Sequence, residues 1–237
     1  MANKTDKNSY TILFAIVMVV IVGSLLAGFA SGLKPRIKAN EKFEKQQNIL
    51  YAMGINNNEG TGDVAFISTD NVAEVFNKYI TKQLVIQGDQ ANENDLAYLI
   101  DIKKESTKAK SDDYQRRLPL FIGQKDGSEL YIMPVRGKGL WDAIWGFVAV
   151  DKEMIVQGVY FAHKGETPGL GAEIKQRYFM DDFVGEQLLE KGAFQGIKVA
   201  KGNNDPKNLI KDDYEVDALA GATITGDGVS VMLKKDL

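Results

Sequence analysis

The sequence contains no cysteine and a single histidine, His163. Without cysteine, the chain cannot form disulfides, use a thiolate in catalysis, or bind iron–sulfur clusters or zinc through cysteine. A single histidine also excludes a histidine-rich metal site. Any redox chemistry in this chain must therefore come from a bound organic cofactor.

Neither positive nor negative charge is in large excess. The 29 lysine and arginine residues are balanced by 32 aspartate and glutamate residues, which gives a net charge of −3. This balance argues against a nucleic-acid-binding surface. An apolar content of 44% is ordinary for a chain with a core, and 237 residues suffice for one sizeable domain plus an accessory segment.

An uncharged apolar run lies near the N-terminus, at residues 12–30. A helix of this length, rising about 1.5 Å per residue, can cross a hydrocarbon layer of roughly 30 Å. The alternative is a secretory signal peptide, which has an apolar region of about 7–15 residues followed by a small-x-small cleavage site. Because the run is longer and Gly28-Phe29-Ala30 is a mediocre cleavage site, an uncleaved anchor is favoured.

The charges around this run favour a cytoplasmic domain. Lys4 and Lys7 precede the run, whereas five basic residues follow it closely: Lys34, Arg36, Lys38, Lys42 and Lys45. Taken alone, the positive-inside rule therefore leaves the large domain in the cytoplasm.

The rest of the chain predicts an α+β domain. We expect a helix from Lys38 to about Gly54, a short helix opening at Thr69, and a polar surface excursion over residues 87–117. Strand patterns occur at residues 83–86, 118–122, 130–135, 147–150, 154–161, 197–200 and 214–218. Because tight turns separate strands that helices flank, a largely antiparallel sheet is expected.

Thr167-Pro168-Gly169-Leu170-Gly171 lies between a predicted strand and a helix that is expected from about Ala172. Pro-Gly suits the central positions of a type II turn, because proline presets φ and glycine accepts a positive φ. Such a turn can be a simple connector. Alternatively, its glycines expose backbone N–H groups beside a helix N-terminus and let a flat ring or a phosphate approach.

Two further features have both an ordinary and a functional explanation. Trp141 and Trp145, in G-K-G-L-W-D-A-I-W, can fill the core, wall a planar aromatic ligand or face a membrane partner. His163 can act as a general base, although a lone histidine at a strand end is more often a hydrogen-bonded structural residue.

The segment D-A-L-A-G-A-T-I-T-G-D-G, residues 217–228, crowds small residues around two threonines. Its ordinary explanation is a glycine turn and a helix start, with Thr225 or Asp227 as the cap. A cap does not explain why Asp217 precedes a bulk-free A-G-A-T. Because a threonine hydroxyl does not react unaided and no neighbouring base is evident, the hydroxyl is better explained as an acceptor that another enzyme modifies.

D-A-L-A-G-A-T resembles D-x-x-(S/T)-G-A-T, the pattern on which a flavin transferase attaches FMN to threonine through a phosphodiester, and departs from it at Ala220. The chain resembles the FMN-binding family that includes the NqrC subunit of the Na⁺-translocating NADH:quinone reductase and the corresponding subunit of the Rnf complex. One apolar span, K-Q-Q-N-I-L-Y-A-M-G, G-K-G-L-W and H-K-G-E-T-P-G-L-G follow each other in the order found in NqrC. G-K-G-L-W ahead of E-T-P-G-L-G favours NqrC over the Rnf subunit.

The resemblance implies a membrane-anchored flavoprotein subunit of a sodium-pumping NADH:quinone oxidoreductase. FMN on Thr223 would pass single electrons between other redox centres. NADH oxidation, quinone reduction and the sodium path would belong to other subunits, and a flavin transferase would be needed for maturation. The resemblance also implies a periplasmic domain on the bacterial inner membrane, against the charge count. An Rnf-type subunit and a cofactor-free assembly module remain alternatives.

The resemblance further implies a cofactor-binding set, without a catalytic residue or a metal site. This set is Thr223 as the covalent acceptor, with Asp217, Gly221, Ala222, Thr225, Glu166, Thr167, Gly169, Leu170, Gly171, Leu140 and Trp141. We divide the chain into a tail at 1–11, a transmembrane helix at 12–33, a helical and polar part at 34–116, and an FMN-binding domain at 117–237. Family chains continue past the position of Leu237, which implies a truncated C-terminus.

Overall fold

The computed structural model describes residues 8–60, 62–111, 113–203 and 205–237. The chain divides into two compact units, Met1–Lys42 and Phe43–Leu237. Lys4, Lys7 and most of the predicted N-terminal tail lie outside the described residues.

The first helix, α1, runs over Asn8–Ala52 and contains the whole apolar run. Its most apolar 18-residue window has a mean hydropathy of 2.8, so this helix is long and apolar enough to serve as a single-pass membrane anchor. The expectation of a second, separate helix after Pro35 is wrong, because α1 continues through Pro35. The proline removes one backbone donor, and the helical residues on both sides outweigh that cost.

Helix α1 ends where Gly54 predicts. Gly54 has a φ of 71°. Its N–H donates to the Tyr51 carbonyl at 2.8 Å, and the Ile55 N–H donates to the Leu50 carbonyl at 2.9 Å. This pair of bonds is a Schellman motif, which satisfies carbonyls that the end of a helix leaves free.

Six strands form the main sheet, in the order β2-β1-β3-β4-β5-β6. Their bounds are β1 Ile80–Gln87, β2 Gln90–Glu93, β3 Arg117–Lys125, β4 Ser128–Lys138, β5 Ala143–Val150 and β6 Val156–His163. Every neighbouring pair is antiparallel, which confirms the predicted α+β fold with a largely antiparallel sheet. Two short pairs follow: β7 Leu189–Glu190 with β8 Ala193–Phe194, and β9 Lys198–Val199 with β10 Glu215–Val216.

The remaining helices are short except for the last. They are α2 Val72–Tyr79, α3 Ile102–Lys108, α4 Arg177–Asp181 and α5 Thr223–Asp236, with 3-10 turns at Ala97–Leu99 and Gly171–Lys175. The prediction of a single amphipathic helix from about Ala172 is wrong, because a 3-10 turn precedes α4 there.

The two faces of the sheet are buried against different helices. Along β5, side chains alternate between faces, so Val148 packs in one hydrophobic cluster and Ala149 in the other. The first cluster includes Met232 of α5, and the second includes Phe76 of α2 and Leu50 of α1. Helix α5 is therefore held on the sheet along its buried face.

Glycines allow α5 to lie very close to strand β4. A Cβ atom on Gly137 would lie 2.8 Å from the Cβ of Met232, and a Cβ on Gly228 would clash with the Lys138 carbonyl oxygen. The far end of the helix is fixed by the Asp236 carboxylate, which accepts from the Arg136 backbone N–H at 2.7 Å. Both ends of α5 therefore have defined positions relative to the sheet.

Candidate functional site

The acceptor segment, residues 217–223, ends in a glycine turn that leads into α5. Gly221 has a φ of 67°, which favours glycine, and the Ala222 N–H donates to the Leu219 carbonyl at 3.0 Å. Helix α5 begins at Thr223, so the threonine of the acceptor pattern is its first residue. A Cβ on Gly221 would lie 2.8 Å from the Leu170 side chain, and the glycine thus allows this turn to approach the Leu170 loop.

The two threonines at this helix start are in opposite environments. Thr223 is exposed, whereas Thr225 is 1% exposed and its hydroxyl donates to Glu166 Oε2 at 2.5 Å. Residues two apart on an α-helix are rotated by about 200° and point to nearly opposite sides. The hydroxyl of Thr223 is therefore accessible to another molecule, and that of Thr225 is engaged inside the protein.

The cap expected at the start of α5 is not formed. The N-cap residue is Ala222, which makes no side-chain cap, and no side chain of the described residues caps this end of the helix. Thr225 lies inside the first turn and donates to Glu166, and Asp227 lies further along the helix and is exposed. The prediction that Thr225 or Asp227 caps the helix is wrong, because the helix begins earlier than the last glycines suggest.

The proline loop, residues 166–171, contains the predicted tight turn. The Leu170 N–H donates to the Thr167 carbonyl at 3.1 Å, and Gly169 has a φ of 75°. This hydrogen bond and the positive φ at the third residue are those of a type II turn. The Gly169 N–H donates to Glu173 Oε1 at 3.0 Å, so the turn is also tied to the 3-10 segment that follows.

Glu166 connects this loop to the tryptophan segment, residues 139–142. Its side chain is 5% exposed in total. Oε1 accepts from the Trp141 N–H at 2.9 Å, and Oε2 accepts from the Leu140 N–H at 3.3 Å. Burial alone would raise the pKa of Glu166, but the hydrogen bonds from Thr225 and from these backbone groups outweigh it and lower the pKa. Glu166 is therefore a carboxylate at neutral pH.

These three segments enclose a cleft of about 280 Å³. It is lined by Leu140, Glu166, Thr167, Leu170, Gly171, Gly221, Ala222, Thr223, Ile224 and Thr225. The cleft lies at the N-terminus of α5, where free backbone N–H groups favour negative charge.

The rim of the cleft is apolar and open to solvent. The exposed fractions of Leu140, Leu170 and Ile224 are 45%, 41% and 58%. Trp141 is 67% exposed, and its indole N–H donates to Thr167 Oγ1 at 3.2 Å, which orients the ring. Apolar side chains that surround an accessible hydroxyl form a surface suited to a flat, partly covered ligand.

Three residues of the expected set stand apart from this lining. Trp141 does not line the cleft but donates hydrogen bonds to Thr167 and Glu166, which do, and Gly169 forms the turn. Asp217 lies at the start of the acceptor segment, where burial and the charge of Asp205 raise its pKa. Ile224 lines the cleft although the expected set omits it. Its position, as the bulky residue directly after A-G-A-T, could have indicated this contact.

His163 has a structural environment. Its Nδ1 accepts from the Glu166 N–H at 3.2 Å, while its buried Nε2 has no hydrogen-bond partner among the described residues. Burial, and then the charge of Lys175, lower its pKa, which keeps the ring neutral at pH 7. This environment matches the structural interpretation of a lone histidine at a strand end.

The sequence that forms the cleft matches the FMN-binding domain family over residues 139–237. The match begins at the tryptophan segment and contains the proline loop and the acceptor segment. Among curated proteins, the chain is 30% identical to the NqrC subunit of the Na⁺-translocating NADH-quinone reductase of Vibrio anguillarum, over 97% of this chain and 90% of the relative. The protein of the same name from Pseudomonas aeruginosa is also 30% identical, over 98% and 92%.

Solved structures give the same result. The NqrC subunit of the Na⁺-translocating NADH-quinone reductase from Parabacteroides distasonis superposes with a TM-score of 0.71 at 31% identity, covering 86% of this chain and 93% of that one. NqrC of Shewanella oneidensis superposes with a TM-score of 0.64 at 26% identity, covering 83% and 91%. Because sequence and fold agree over nearly the full length of these relatives, the chain belongs to the NqrC family of Na⁺-translocating NADH-quinone reductase subunits.

Proposed function

We propose that this chain is the FMN-carrying subunit of a membrane Na⁺-translocating NADH-quinone reductase, with FMN joined to Thr223 by a phosphodiester. The observation that carries the proposal is the contrast between the two threonines of the acceptor helix. The Thr223 side chain is exposed at the mouth of a cleft, while the Thr225 hydroxyl is buried against Glu166. Only the first can accept a large group without unfolding the helix start.

The helix start also suits the charge of the linkage. A phosphodiester carries a negative charge, and the N-terminus of an α-helix offers free N–H groups and a positive dipole end. Helix α5 has 14 residues, and Ala222, its N-cap residue, provides no side chain that competes for those N–H groups. The phosphate on Thr223 would therefore lie where anions are favoured.

The rim of the cleft suits the flavin ring. Leu140, Leu170 and Ile224 offer apolar surface, and Trp141 offers an aromatic face that the bond to Thr167 orients. Ligand pockets that enclose a drug-sized molecule measure about 300–1,000 Å³, so a cleft of about 280 Å³ would leave part of the ring uncovered. An uncovered edge would leave the flavin accessible to redox partners.

FMN bound here would supply the electron-transfer chemistry, since a flavin accepts and donates electrons singly. The redox partners we propose are other subunits of the NADH-quinone reductase, with NADH oxidation, quinone reduction and the sodium path located in those subunits. The protein's own contribution is to hold the ring in place and to set its electrostatic surroundings.

Thr223 needs an external enzyme for this modification. None of the described residues makes a hydrogen bond to its hydroxyl, so the described part of the chain offers no general base in place to activate it. We therefore propose a flavin transferase as the maturation partner. The accessible position of Thr223 fits modification of an already folded domain.

Measuring the intact mass of the chain tests the proposal. The full chain is produced with and without a flavin transferase, purified in detergent and denatured. We expect one FMN-sized mass increase, and visible flavin absorbance that remains with the chain after denaturation, only when the transferase is present. A chain that stays unmodified with an active transferase would refute covalent attachment and favour a cofactor-free assembly module.

We also propose that residues 117–237 form the FMN-binding part and residues 34–116 a supporting helical and polar part. The tryptophan segment, the proline loop and the acceptor segment all lie within 117–237. The N-terminal boundary of the family match, at residue 139, falls within this range.

The soluble domain is proposed to lie on the periplasmic side of the bacterial inner membrane. The charge count opposes this, but the positive-inside rule acts most strongly on short loops, and large domains can cross despite flanking charge. Glu41 and Glu44 also accompany Lys42 and Lys45 in the sequence after the apolar run.

A single cysteine tests this orientation, because the chain has none of its own. Glu59→Cys lies in an exposed loop and should react with a membrane-impermeant maleimide in intact spheroplasts. The matched control, Asn8→Cys, should react only after the membrane is opened. The opposite pattern would put the domain in the cytoplasm.

A further inference from the structure

We propose that Glu166 is a positioning residue for flavin attachment: its carboxylate holds Thr225, and so fixes the rotation of α5 that directs Thr223 to the mouth of the cleft. The inference rests on the proposed attachment of FMN to Thr223. It assigns Glu166 an action on the protein rather than on the flavin itself.

The contacts of Glu166 join three separate parts of the chain. Oε2 accepts from the Thr225 hydroxyl at 2.5 Å and from the Leu140 N–H at 3.3 Å, and Oε1 accepts from the Trp141 N–H at 2.9 Å. Both oxygens are thus already occupied by donors of the protein. The carboxylate is a junction between the proline loop, the tryptophan segment and α5.

The bond to Thr225 anchors the first turn of α5 to the rest of the protein. The first turn of an α-helix has free N–H groups and frays unless a side chain holds it. Ala222, the N-cap residue of α5, has no side chain that could do this. Because Thr223 and Thr225 point to nearly opposite sides of the helix, anchoring Thr225 inward keeps Thr223 outward.

Two glycines let the backbone approach the carboxylate closely. A Cβ on Gly171 would lie 2.5 Å from Glu166 Oε2 and would clash with the Thr225 hydroxyl. A Cβ on Gly139 would lie 2.6 Å from Glu166 Oε1. Glycine at both positions allows the proline loop and the tryptophan segment to close around Glu166, so the junction is tightly enclosed.

Substitutions can remove the junction with little change in volume. Glu166→Gln keeps the shape but brings an NH₂ donor to face groups that are themselves donors. Thr225→Val removes the hydroxyl and keeps the branched side chain, whereas Thr225→Ser keeps the hydroxyl. The last two variants form a matched pair, since only one of them can bond to Glu166.

The experiment measures the rate of covalent flavin incorporation into the full chain at limiting flavin transferase. We expect Thr225→Ser to stay within about twofold of the natural chain, and both Thr225→Val and Glu166→Gln to be slower by about tenfold, the size of effect typical for a lost hydrogen bond to a charged group. The double variant should be no slower than the slower single variant, because both changes remove the same bond.

A control separates positioning from general stability. Asp236→Asn weakens the opposite end of α5, where the buried carboxylate accepts from the Arg136 N–H and pairs with Arg116. This variant should melt at a lower temperature but incorporate flavin at the natural rate. Visible circular dichroism of the attached flavin should change in Glu166→Gln and Thr225→Val and stay unchanged in Asp236→Asn.

Natural rates and an unchanged flavin signal in Thr225→Val would overturn the inference, as would equal slowing in Asp236→Asn. If Glu166→Gln does not fold, the Thr225→Val and Thr225→Ser pair still decides. The natural chain serves as the separate test of attachment itself: if it takes up no flavin, the proposed function fails rather than the role of Glu166.

Discussion

Glu166 and Glu186 are both buried glutamates, 5% and 0% exposed, yet their surroundings differ in kind. Glu166 accepts hydrogen bonds from three backbone N–H groups and from a hydroxyl, and its pKa is lowered. Glu186 faces Lys211 at 3.3 Å, with Asn208 and Asp213 nearby, and burial raises its pKa to about 7 against the lowering effect of Lys211.

The difference shows that burial alone does not set the charge of a carboxyl group; the number of donors aimed at it does. The cleft region around Glu166 keeps a constant charge at neutral pH, which suits a site whose geometry must not vary. The region around Glu186 instead titrates near neutrality. There, Lys211 Nζ donates to the Asp182 carbonyl at 3.1 Å, and Asn208 donates to the same carbonyl.

The largest expected effect is on covalent flavin incorporation, which should depend on the cleft region and not on the region around Glu186. Thr223→Ala should abolish covalent flavin incorporation and leave the melting temperature nearly unchanged, because the Thr223 side chain is exposed. Intact mass and thermal melting check this, with Glu186→Gln as the matched variant that should keep full incorporation. A flavin-sized mass in Thr223→Ala, or peptide mapping of the flavin to Thr225, would move the acceptor to the other threonine.

The next prediction concerns the sign of the pH dependence. Glu186 has a folded-state pKa raised from 4.5 to about 7. Its contribution to stability is therefore fully present below about pH 4.5 and is lost as the pH rises towards 7, by up to about 3 kcal/mol. Asp182, whose burial raises its pKa to about 6, adds a slope of the same sign.

Glu166 should give the opposite slope. Its folded-state pKa is lowered, so its contribution is present above the unfolded value and is lost as the pH falls. Denaturant unfolding between pH 4 and 8 should show a flatter profile above pH 5 in Glu186→Gln, and a smaller acid-side loss in Glu166→Gln. Identical profiles in the two variants would show that the two glutamates do not differ as described.

A third, smaller effect tests the pairing of Glu186. Lys211→Met keeps much of the apolar stem but leaves a buried carboxylate without its cation, which should cost about 2 kcal/mol at pH 8. The cost should shrink at pH 5.5, where Glu186 can take up a proton instead. Lys207→Met, an exposed lysine of the same segment, is the control and should be neutral at both values; a cost independent of pH would exclude the charge as its cause.

The smallest expected effect lies in the proline loop. Gly169→Ala should destabilise the domain by about 1 kcal/mol, because Gly169 has a φ of 75° and a side chain there is strained. Space is not the cause, since a Cβ at this position meets nothing within 4 Å. Flavin incorporation should fall in parallel.

Gly165→Ala is the matched control for this prediction. Its Cβ also meets nothing within 4 Å, and its φ is not in the left-handed region, so it should behave like the natural chain. If Gly169→Ala incorporates flavin normally and the attached flavin shows an unchanged spectrum, the loop is only a connector.

Local patterns were sufficient wherever the chemistry of a few neighbouring residues decides the structure. The apolar run is long enough to span a membrane in any context, and apolar strand patterns predict five of the six strands of the antiparallel sheet. The exception is the exposed strand β2, which lies in the segment expected to be a polar excursion. Pro168-Gly169 predicts the turn because only certain backbone angles are open to those residues. Gly54 predicts the end of α1 for the same reason.

Local patterns failed where distant contacts compete with them. Pro35 suggests a break in α1, but the helix continues. Thr225 has the chemistry of a helix cap, but its hydroxyl bonds to Glu166, 59 residues away in the sequence. A polar side chain with several possible hydrogen-bond partners bonds to the one that the fold brings nearest. The periodicity of apolar residues along the sequence carries no information about that partner.

The sequence by itself therefore determined the long apolar helix, most of the strands, the turns and the position of Thr223 in the acceptor pattern. The tertiary structure alone decided which threonine is exposed, which carboxylate holds the cleft together and which glutamate titrates near neutrality. The physical reason is that accessibility and charge depend on donors and apolar surface brought together from distant segments. Glu166 and Glu186 have opposite pKa shifts because four hydrogen-bond donors reach the first, while burial dominates at the second despite its pairing with a lysine.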